Sequence, residues 1–508
     1  MNASQLARIL LVIITLAISN PGKATTERER QDPFNTIPTI ERTIPDIDYL
    51  QWDESCKGVV TWKHLTRMAA VSQAICANPK LKRSYAQLLV NSARLGQAVS
   101  SHFPTLNFSA SENLRKTHDF LVDNRAELQV RGDNEHIKKS GLQLSLPIYN
   151  SGATEAGVNA NKAALRAAQL DFQEQAQSLV VDTLVAYTEL YFAHQLIDVL
   201  EQGQSIALQA LKIAQMREAG GIGSRSERLQ AQAGVARTKI DLARGQEDLL
   251  AKRIALSVLL AVPPEQLINP GFTAAEVQFN FDVNSLLASN VDQEILRNSR
   301  PSLGALQARL LSAEAQTERV KREGMAALYL TAGYSALTTN NRGVMTMQGP
   351  ERTVGLNLNI PLFEGFGRTY KIKEALATVE GARQDVWAEI QRIDSELNRN
   401  QKSMEQALEL TKYTSHYQAT ALEAHAASLL RYRKGLAEIT EVLNAQRELA
   451  QADSERLRIS VKLTTAYIKL ARDLGRLQEV LQPAESILYE MEEKIPAGNT
   501  SNTTSNQP

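Results

Sequence analysis

The sequence repeats itself with an offset of 214 residues, and this repeat limits the possible folds more than any other feature. The segment GLQLSLPIY at 141–149 matches GLNLNIPLF at 355–363, an offset of 355 − 141 = 214. Gly221 and Gly435, with the residues that follow them, match at the same offset, 435 − 221 = 214. Two separate motifs that share one offset indicate an internal duplication. Each half is therefore expected to contain a helix, two strands, a long helix, a turn and a second long helix.

Two segments in each half alternate between apolar and polar residues, which predicts β-strands with one apolar and one wet face. The strands are expected over about 104–116 and 138–148 in the first half, and over about 327–338 and 351–362 in the second. The alternation by itself is typical both of a membrane barrel and of a sandwich in a soluble protein, so it leaves both open.

The remainder of each half predicts a long helical hairpin, over about 152–262 and about 366–478. No proline lies between Pro147 and Pro263, and small apolar residues recur at spacings of three and four, as in supercoiled helices. The turns fall at Gly221 and Gly435, because a helix C-cap favours a residue with positive φ. A first helix of about 67 residues would be about 100 Å long at 1.5 Å per residue. That length suits either an exposed stalk or the wall of a tube.

The other segments predict targeting and linking elements. The largely apolar run of ten residues at 9–18 is too short to cross a bilayer of about 30 Å, so residues 1–24 are interpreted as a signal peptide, with a membrane anchor as the alternative. Apart from this run, no stretch has the composition of a transmembrane helix. The expected division is an extended arm at 25–58, a first repeat at 59–262, a linker at 263–291, a second repeat at 292–478 and a disordered tail at 479–508.

Charge and cysteine content exclude several classes of protein. The 56 Lys and Arg residues balance 56 Asp and Glu residues, whereas a nucleic-acid binder would show a basic excess. There are two cysteines, Cys56 and Cys76, too few for a four-thiolate zinc site. In an exported protein a disulfide between them is favoured, and two free thiols are the alternative.

No pattern of residues predicts catalysis. The sequence has no P-loop and no G-x-S-x-G nucleophile elbow, and the seven histidines include no pair at metal-ligand spacing on one helix. We therefore expect neither an enzyme nor a bound metal or cofactor.

Several short motifs, in this order and duplicated, resemble the TolC family of outer-membrane export channels. They are the Asn78-Pro79 break, the run Phe103-Pro104-Thr105-Leu106, the junctions Leu146-Pro147-Ile148-Tyr149 and Ile360-Pro361-Leu362-Phe363, and the turn Tyr432-Arg433-Lys434-Gly435. The resemblance spans about residues 59 to 478. The cysteine pair, with the sequence AICANP at 74–79, resembles the branch that serves type I secretion, the adenylate-cyclase-toxin exporter type.

The resemblance implies a mainly α protein with a membrane β-barrel. Four strands cannot close a barrel, because small closed barrels need about eight. In this family three chains supply twelve strands in the outer membrane, and the helical hairpins extend the conduit into the periplasm. The implied protein is a homotrimeric, passive exit duct in a Gram-negative outer membrane. Its implied partners are outer-membrane lipid, a periplasmic adaptor and an inner-membrane ABC transporter.

The resemblance also implies a gate at the periplasmic tip. The two positions of the family's acidic ring correspond to Glu441, which keeps the charge, and Asn444, which does not. The resemblance therefore implies a weaker cation preference than in members with an acidic residue at both positions. A latch arginine found in some members corresponds to Ala437, so this latch is expected to be absent or replaced. As an alternative, Glu441 is a first-turn residue favoured by the helix dipole.

Four more residues belong to the implied tip. Gly221 and Gly435 form the turns expected to take part in docking. Tyr432 matches the family's tip tyrosine and Glu227 its acidic partner, although Glu227 too is explained by the helix dipole.

Two other functions are compatible with the sequence. The first is the same duct in a tripartite efflux pump for small molecules. The second is a periplasmic coiled-coil scaffold that forms no channel.

Overall fold

The computed structural model describes residues 32–37, 65–116, 134–267, 293–340 and 348–481. The predicted signal peptide, most of the arm, the linker after residue 267 and the tail after residue 481 lie outside these residues. Residues 477–481 form a short helix whose last two side chains are buried, so residues 479–481 of the predicted tail are helical.

Each half contains two long helices, shorter helices and two strands. The helices are α1 Arg67–Ala77, α2 Pro79–Ser100, α3 Ala153–Ala219, α4 Arg225–Leu260, α5 Gln293–Asn298, α6 Pro301–Arg322, α7 Gly367–Arg433, α8 Ile439–Asp473 and α9 Leu477–Leu481. The strands are β1 Thr105–Lys116, β2 Asn134–Tyr149, β3 Ala327–Asn340 and β4 Gln348–Asn359. None of the helices in the described part of the chain combines the length and the apolar composition that crossing a bilayer requires.

The duplication seen in the sequence is reproduced in the helices. Helices α3 and α7 each contain 67 residues. Their first residues, and the first residues of α4 and α8, are separated by the same offset as the sequence motifs (367 − 153 and 439 − 225 both give 214). The two halves therefore share one architecture, as the repeat predicts.

The chain divides into two compact units, and each unit takes segments from both halves. The first unit comprises residues 1–39, 88–166 and 308–382 and contains all four strands. The second comprises residues 40–87, 167–307 and 383–508 and contains both helical turns.

The sheet of the first unit is antiparallel in the order β1-β2-β3-β4, so β1 and β4 are its edges. The registers align apolar residues across all four strands, as in the row Leu106, Leu144, Ala332 and Val354. The next row is polar or small, with Asn107, Gln143, Gly333 and Thr353. One face of the sheet is therefore apolar and the other wet.

Strand β4 ends at Asn359, although the alternation continues to residue 362. Pro361 has no N–H to donate to a neighbouring strand, and an edge strand has a partner on one side only. Strand β2 passes through the equivalent Pro147, which still pairs with Tyr329 of β3, and its register shifts between Pro147 and Tyr149.

In the second unit, two helices begin with a proline, and the residue just before each proline makes a hydrogen bond to a distant part of the chain. Asn78, before Pro79, donates from Nδ2 to the carbonyl oxygen of Leu259 at 3.0 Å. Arg300, before Pro301, donates from Nη2 to Oδ1 of the buried Asp473 at 2.6 Å. The two halves thus make equivalent contacts with different chemistry, a neutral bond in the first and an ion pair in the second.

Candidate functional site

The two helical turns of the second unit have the same backbone geometry. Gly221 and Gly435 have φ of +73° and +74°, a conformation that glycine adopts without steric cost. The N–H of Ile222 donates to the carbonyl oxygen of Arg217 at 3.0 Å, and the N–H of Leu436 makes the equivalent bond at 2.9 Å. Both turns are therefore Schellman motifs, the C-cap in which a left-handed glycine ends a helix.

A small hydrophobic cluster beneath the turns joins all four long helices. Its buried members are Ala210, Ala214, Ala231, Tyr432, Ile439 and Val442. Gly234 of α4 approaches α8 so closely that an added Cβ would lie 3.0 Å from Cδ2 of Leu443. Packing of this kind fixes the two turns relative to each other within one chain.

Three side chains, Arg217, Glu227 and Tyr432, form a group that we call the tip clasp. The phenol of Tyr432 donates to Oε2 of Glu227 at 3.3 Å. The guanidinium of Arg217 lies over the Tyr432 ring, with Cζ 4.9 Å from the centroid, and Nη1 donates to the Tyr432 carbonyl oxygen at 3.2 Å. Nε of Arg217 is 3.8 Å from Oε2 of Glu227. The clasp thus links the end of α3 and the start of α4 to the end of α7.

Burial raises the pKa of the Tyr432 phenol, and the Glu227 carboxylate raises it further. The phenol therefore stays protonated and able to donate at physiological pH. Tyr432 is also fully buried, so its side chain is shielded from water.

Glu441 forms its own ion pair across the second turn. Its Oε1 is 3.1 Å from Nη1 of Arg431 at the end of α7. Arg431 and Glu441 are the repeat equivalents of Arg217 and Glu227 (431 − 217 and 441 − 227 both give 214). The first pair is mostly buried, with side chains 16% and 24% exposed, whereas the second is 58% and 41% exposed. The first pair also contacts the buried Tyr432 through the Arg217 guanidinium and the Glu227 carboxylate.

Asn444 is exposed and lines a groove of about 870 Å³ between α3, α4 and α8. Thr440 and Arg447 of the same helix also line this groove. The second position of the expected acidic ring therefore carries an amide next to a guanidinium, and the functional role of Glu441 and Asn444 stays a prediction.

Sequence reasoning missed Arg217 and Arg431, although the repeat contained a signal for both. The two arginines align at the same offset as the two glutamates, so a search for charged pairs across each turn would have found them. Ala437, the position at which a latch arginine is expected to be absent, packs against the hydrophobic cluster beneath the turns. Arg217 of the first hairpin is the arginine that contacts Tyr432.

The predicted disulfide stays a prediction, because Cys56 lies outside the described residues. Cys76 is the penultimate residue of α1. No group of three or more His, Cys, Asp or Glu side chains that could hold a metal ion occurs in the part of the chain that the structure describes.

A family model described as outer membrane efflux protein matches residues 70–262 and 293–476. Protein CyaE of Bordetella pertussis is 25% identical over 424 residues, which cover 81% of this chain and 85% of that protein. Outer membrane protein TolC of Escherichia coli is 24% identical over 435 residues, which cover 81% and 82%.

The fold matches solved structures of outer membrane channels. The crystal structure of the Campylobacter jejuni CmeC outer membrane channel aligns with a TM-score of 0.71 at 16% identity, and the alignment covers 90% of this chain and 99% of that one. The predicted TolC-like fold is therefore confirmed. These matches are to channel proteins, which confirms the prediction that the chain is not an enzyme.

Proposed function

This chain belongs to the outer membrane efflux protein family, and on that premise we propose that it is the exit duct of a type I protein secretion system. The duct is a homotrimer in the outer membrane of a Gram-negative cell, with helical hairpins in the periplasm. It is passive, and an inner-membrane ABC transporter supplies the free energy through a periplasmic adaptor.

The observation that carries this proposal is the open four-stranded sheet with one apolar face. Val354, Leu356 and Leu358 of β4 are between 63% and 79% exposed on that face. Both edges, β1 and β4, present unpaired backbone groups, which are costly in lipid and prone to pair with another chain. Edge pairing among three copies satisfies these groups and closes a barrel of twelve strands, above the minimum of about eight. The apolar face then meets lipid and the wet face lines water.

The geometry of the tip supports docking of an adaptor. Ile222 and Leu436 follow the left-handed glycines of the two turns and are 72% and 67% exposed. The same Schellman geometry presents both side chains, so one chain offers two similar apolar contacts at neighbouring turns. Such a repeated contact suits a partner that is itself built from repeated helical hairpins.

The choice of a protein cargo rests on sequence. The cysteine pair and the AICANP segment at 74–79 resemble the type I secretion branch. Relatives in the family carry names of both kinds, since one from Pseudomonas aeruginosa is an alkaline protease secretion protein and another is a pyoverdine export outer membrane protein. A small-molecule efflux duct is therefore the second candidate.

Deletion of the gene tests the proposal and separates the candidates. We expect the deletion strain to lose at least one large polypeptide from its culture medium, while its sensitivity to small antibiotics and metal ions stays unchanged. Complementation with the intact gene restores secretion. An unchanged set of secreted proteins together with increased drug sensitivity would support the efflux pump instead. A purified chain that is monomeric and conducts no ions would support the periplasmic scaffold.

Replacement of Glu441 by alanine is expected to lower the cation-over-anion permeability ratio in planar bilayers roughly twofold, since each of three chains loses one carboxylate at the proposed constriction and a charge acts over a Debye length of about 10 Å. The ratio is measured from reversal potentials in a salt gradient. Glu438, an exposed carboxylate just before α8, provides the matched control Glu438→Ala. If both variants change the ratio equally, or neither does, Glu441 is not at the constriction.

A further inference from the structure

Polar residues interrupt the packing of α7 against α8 near the second turn. Two hydrophobic clusters lie along this contact. One is the cluster beneath the turns, which includes Tyr432. The other lies further from the turn and consists of Ala421, Leu449 and Ala452. Along both helices, the residues between the two clusters include three buried polar ones, His425, Ser428 and Gln446.

The buried residues of α7 follow a heptad spacing through this region. Ala421, His425, Ser428 and Tyr432 are separated by four, three and four residues, the spacing with which one helix of a coiled coil faces its partner. His425 is only 7% exposed. Its ring therefore lies in the contact between α7 and α8 and is enclosed by packed side chains.

Two of the three polar side chains have hydrogen-bond partners. Oγ of Ser428 donates to the carbonyl oxygen of His425 at 2.9 Å. Nε2 of Gln446 donates to the carbonyl oxygen of Gly203 on α3 at 2.8 Å. Nε2 of His425 is buried and has no hydrogen-bond partner among the described residues. A buried nitrogen in this state is costly, and the cost is larger when the ring carries a positive charge.

The first hairpin is apolar at the equivalent positions of α3. Leu211 and Ala214 correspond to His425 and Ser428 (425 − 211 and 428 − 214 both give 214). Ala214 is fully buried, and Leu211 packs against the cluster beneath the turns. An apolar residue at the position of His425 is therefore compatible with this architecture, and the buried histidine distinguishes the second hairpin from the first.

The charged side chains at this level of the surrounding helices are exposed. They are Glu423 on α7, Arg447 and Glu448 on α8, Glu201 and Lys212 on α3, and Arg237 on α4. Oε2 of Glu448 already accepts a hydrogen bond from the phenol of Tyr417 at 2.7 Å. Burial lowers the pKa of the His425 imidazole below its ordinary value. The ring is therefore neutral at neutral pH.

We propose that His425 is an acid-sensitive switch in the second hairpin, where protonation of its ring weakens the packing of α7 against α8 between the two hydrophobic clusters. The first hairpin, with Leu211 at the equivalent position, does not respond. Tyr432 of the tip clasp lies seven residues further along the same contact, so weaker packing at His425 also loosens the support of the clasp. The switch lies within one chain and does not depend on the proposed function.

The direction of the pH effect follows from proton binding. A histidine whose pKa is lowered by burial binds fewer protons in the packed hairpin than in a locally opened one. Opening is therefore favoured as the pH falls from the ordinary pKa of 6.5 toward the lowered value. Above this window the packing keeps its full strength, because the ring is neutral in both states.

Hydrogen exchange measured by mass spectrometry tests the switch in the full-length protein in detergent. At pH 7.5, 6.5 and 5.5 the intrinsic exchange rate is divided by the observed rate, and the resulting protection factor reports local opening. The segments compared are 418–432 and 442–452 and their repeat equivalents, 204–218 and 228–238. His425→Leu introduces the residue that the first hairpin has at this position. His416→Leu is the matched control, because His416 lies on the same helix and is exposed.

In the wild type, the protection factors of the second-hairpin segments are expected to fall about three- to tenfold from pH 7.5 to 5.5, since the lower pH is one unit below the ordinary pKa of 6.5. The first-hairpin segments keep their protection. The fall disappears in His425→Leu and persists in His416→Leu. If His425→Leu shows the same fall as the wild type, or the wild type shows none, the proposal is wrong. An equal fall in both hairpins of the wild type also overturns it.

A second substitution protects the test against a packing defect. If His425→Leu does not assemble, His425→Gln keeps a polar side chain at this position but does not titrate. Protection that no longer depends on pH in His425→Gln supports the switch. A fall as large as that of the wild type overturns it.

Discussion

Replacement of Asp473 by alanine is expected to lower the free energy of unfolding by about 3–5 kcal/mol, because it leaves a buried guanidinium without its carboxylate. The side chains of Arg300 and Asp473 are 6% and 1% exposed, and the Nη2 to Oδ1 distance is 2.6 Å. Asn400 donates from Nδ2 to the other carboxylate oxygen, also at 2.6 Å. The same substitution therefore also removes the acceptor of a buried amide.

Two further variants show whether burial of the ion pair causes the loss of stability in Asp473→Ala. The pair Arg297 and Asp394 has a bidentate geometry at 2.7 Å, but its side chains are 32% and 31% exposed. Asp394→Ala is therefore expected to cost about 1 kcal/mol or less. The double change Arg300→Met and Asp473→Leu removes both charges and is expected to recover most of the stability. The stability of all three variants is measured from the loss of helical circular dichroism on heating in detergent. Equal losses of stability in Asp473→Ala and Asp394→Ala would contradict the argument.

On the proposal that the tip of this duct opens and closes, replacement of Arg217 by alanine is expected to shift the tip toward an open state about 10- to 100-fold. A hydrogen bond from a charged group contributes about 1.5–3 kcal/mol, and each 1.4 kcal/mol is a factor of about ten in an equilibrium. Arg217 holds the Tyr432 carbonyl and ring and faces Glu227, so its loss frees the end of α7 from the first hairpin. Single-channel recordings should show a higher open fraction or a larger conductance.

The repeat supplies the matched control for this experiment. Arg431 occupies the equivalent position and pairs with Glu441, but that pair is largely exposed and does not join the two hairpins. Arg431→Ala is therefore expected to change the open fraction little, because exposed ion pairs contribute about 0–1 kcal/mol. An effect of Arg431→Ala as large as that of Arg217→Ala would remove the tip clasp from the gate.

The fold could be predicted from the sequence because the patterns that indicate its strands and helices are periodic and occur twice. The alternation in 141–149 and 355–363 located two strands, and the proline-free segments with glycine turns located the hairpins. The strand ends were less accessible. Strand β4 ends at Asn359, before Pro361, while the equivalent Pro147 lies within β2 and pairs with Tyr329 of β3. Periodicity carries no information about where the pairing of two strands stops.

The site was accessible only in part. Tyr432 and Glu227 were named from the family resemblance, and the structure brings them together. Arg217 was not named, because a single arginine on a charged helix resembles any solvated residue until its neighbours are known. Comparison of the two halves, which aligns Arg217 with Arg431, reveals it.

The equal length of α3 and α7 has a consequence for how such a chain can change. Both helices contain 67 residues, and their ends meet at the cluster that holds Tyr432. A deletion of seven residues from one of them would retract its turn by about 10 Å at 1.5 Å per residue. The turns would then no longer be level, and the contacts between them would be lost. An insertion or deletion is therefore expected to preserve these contacts only when one of the same length occurs in both hairpins. The lengths of the two hairpins are coupled.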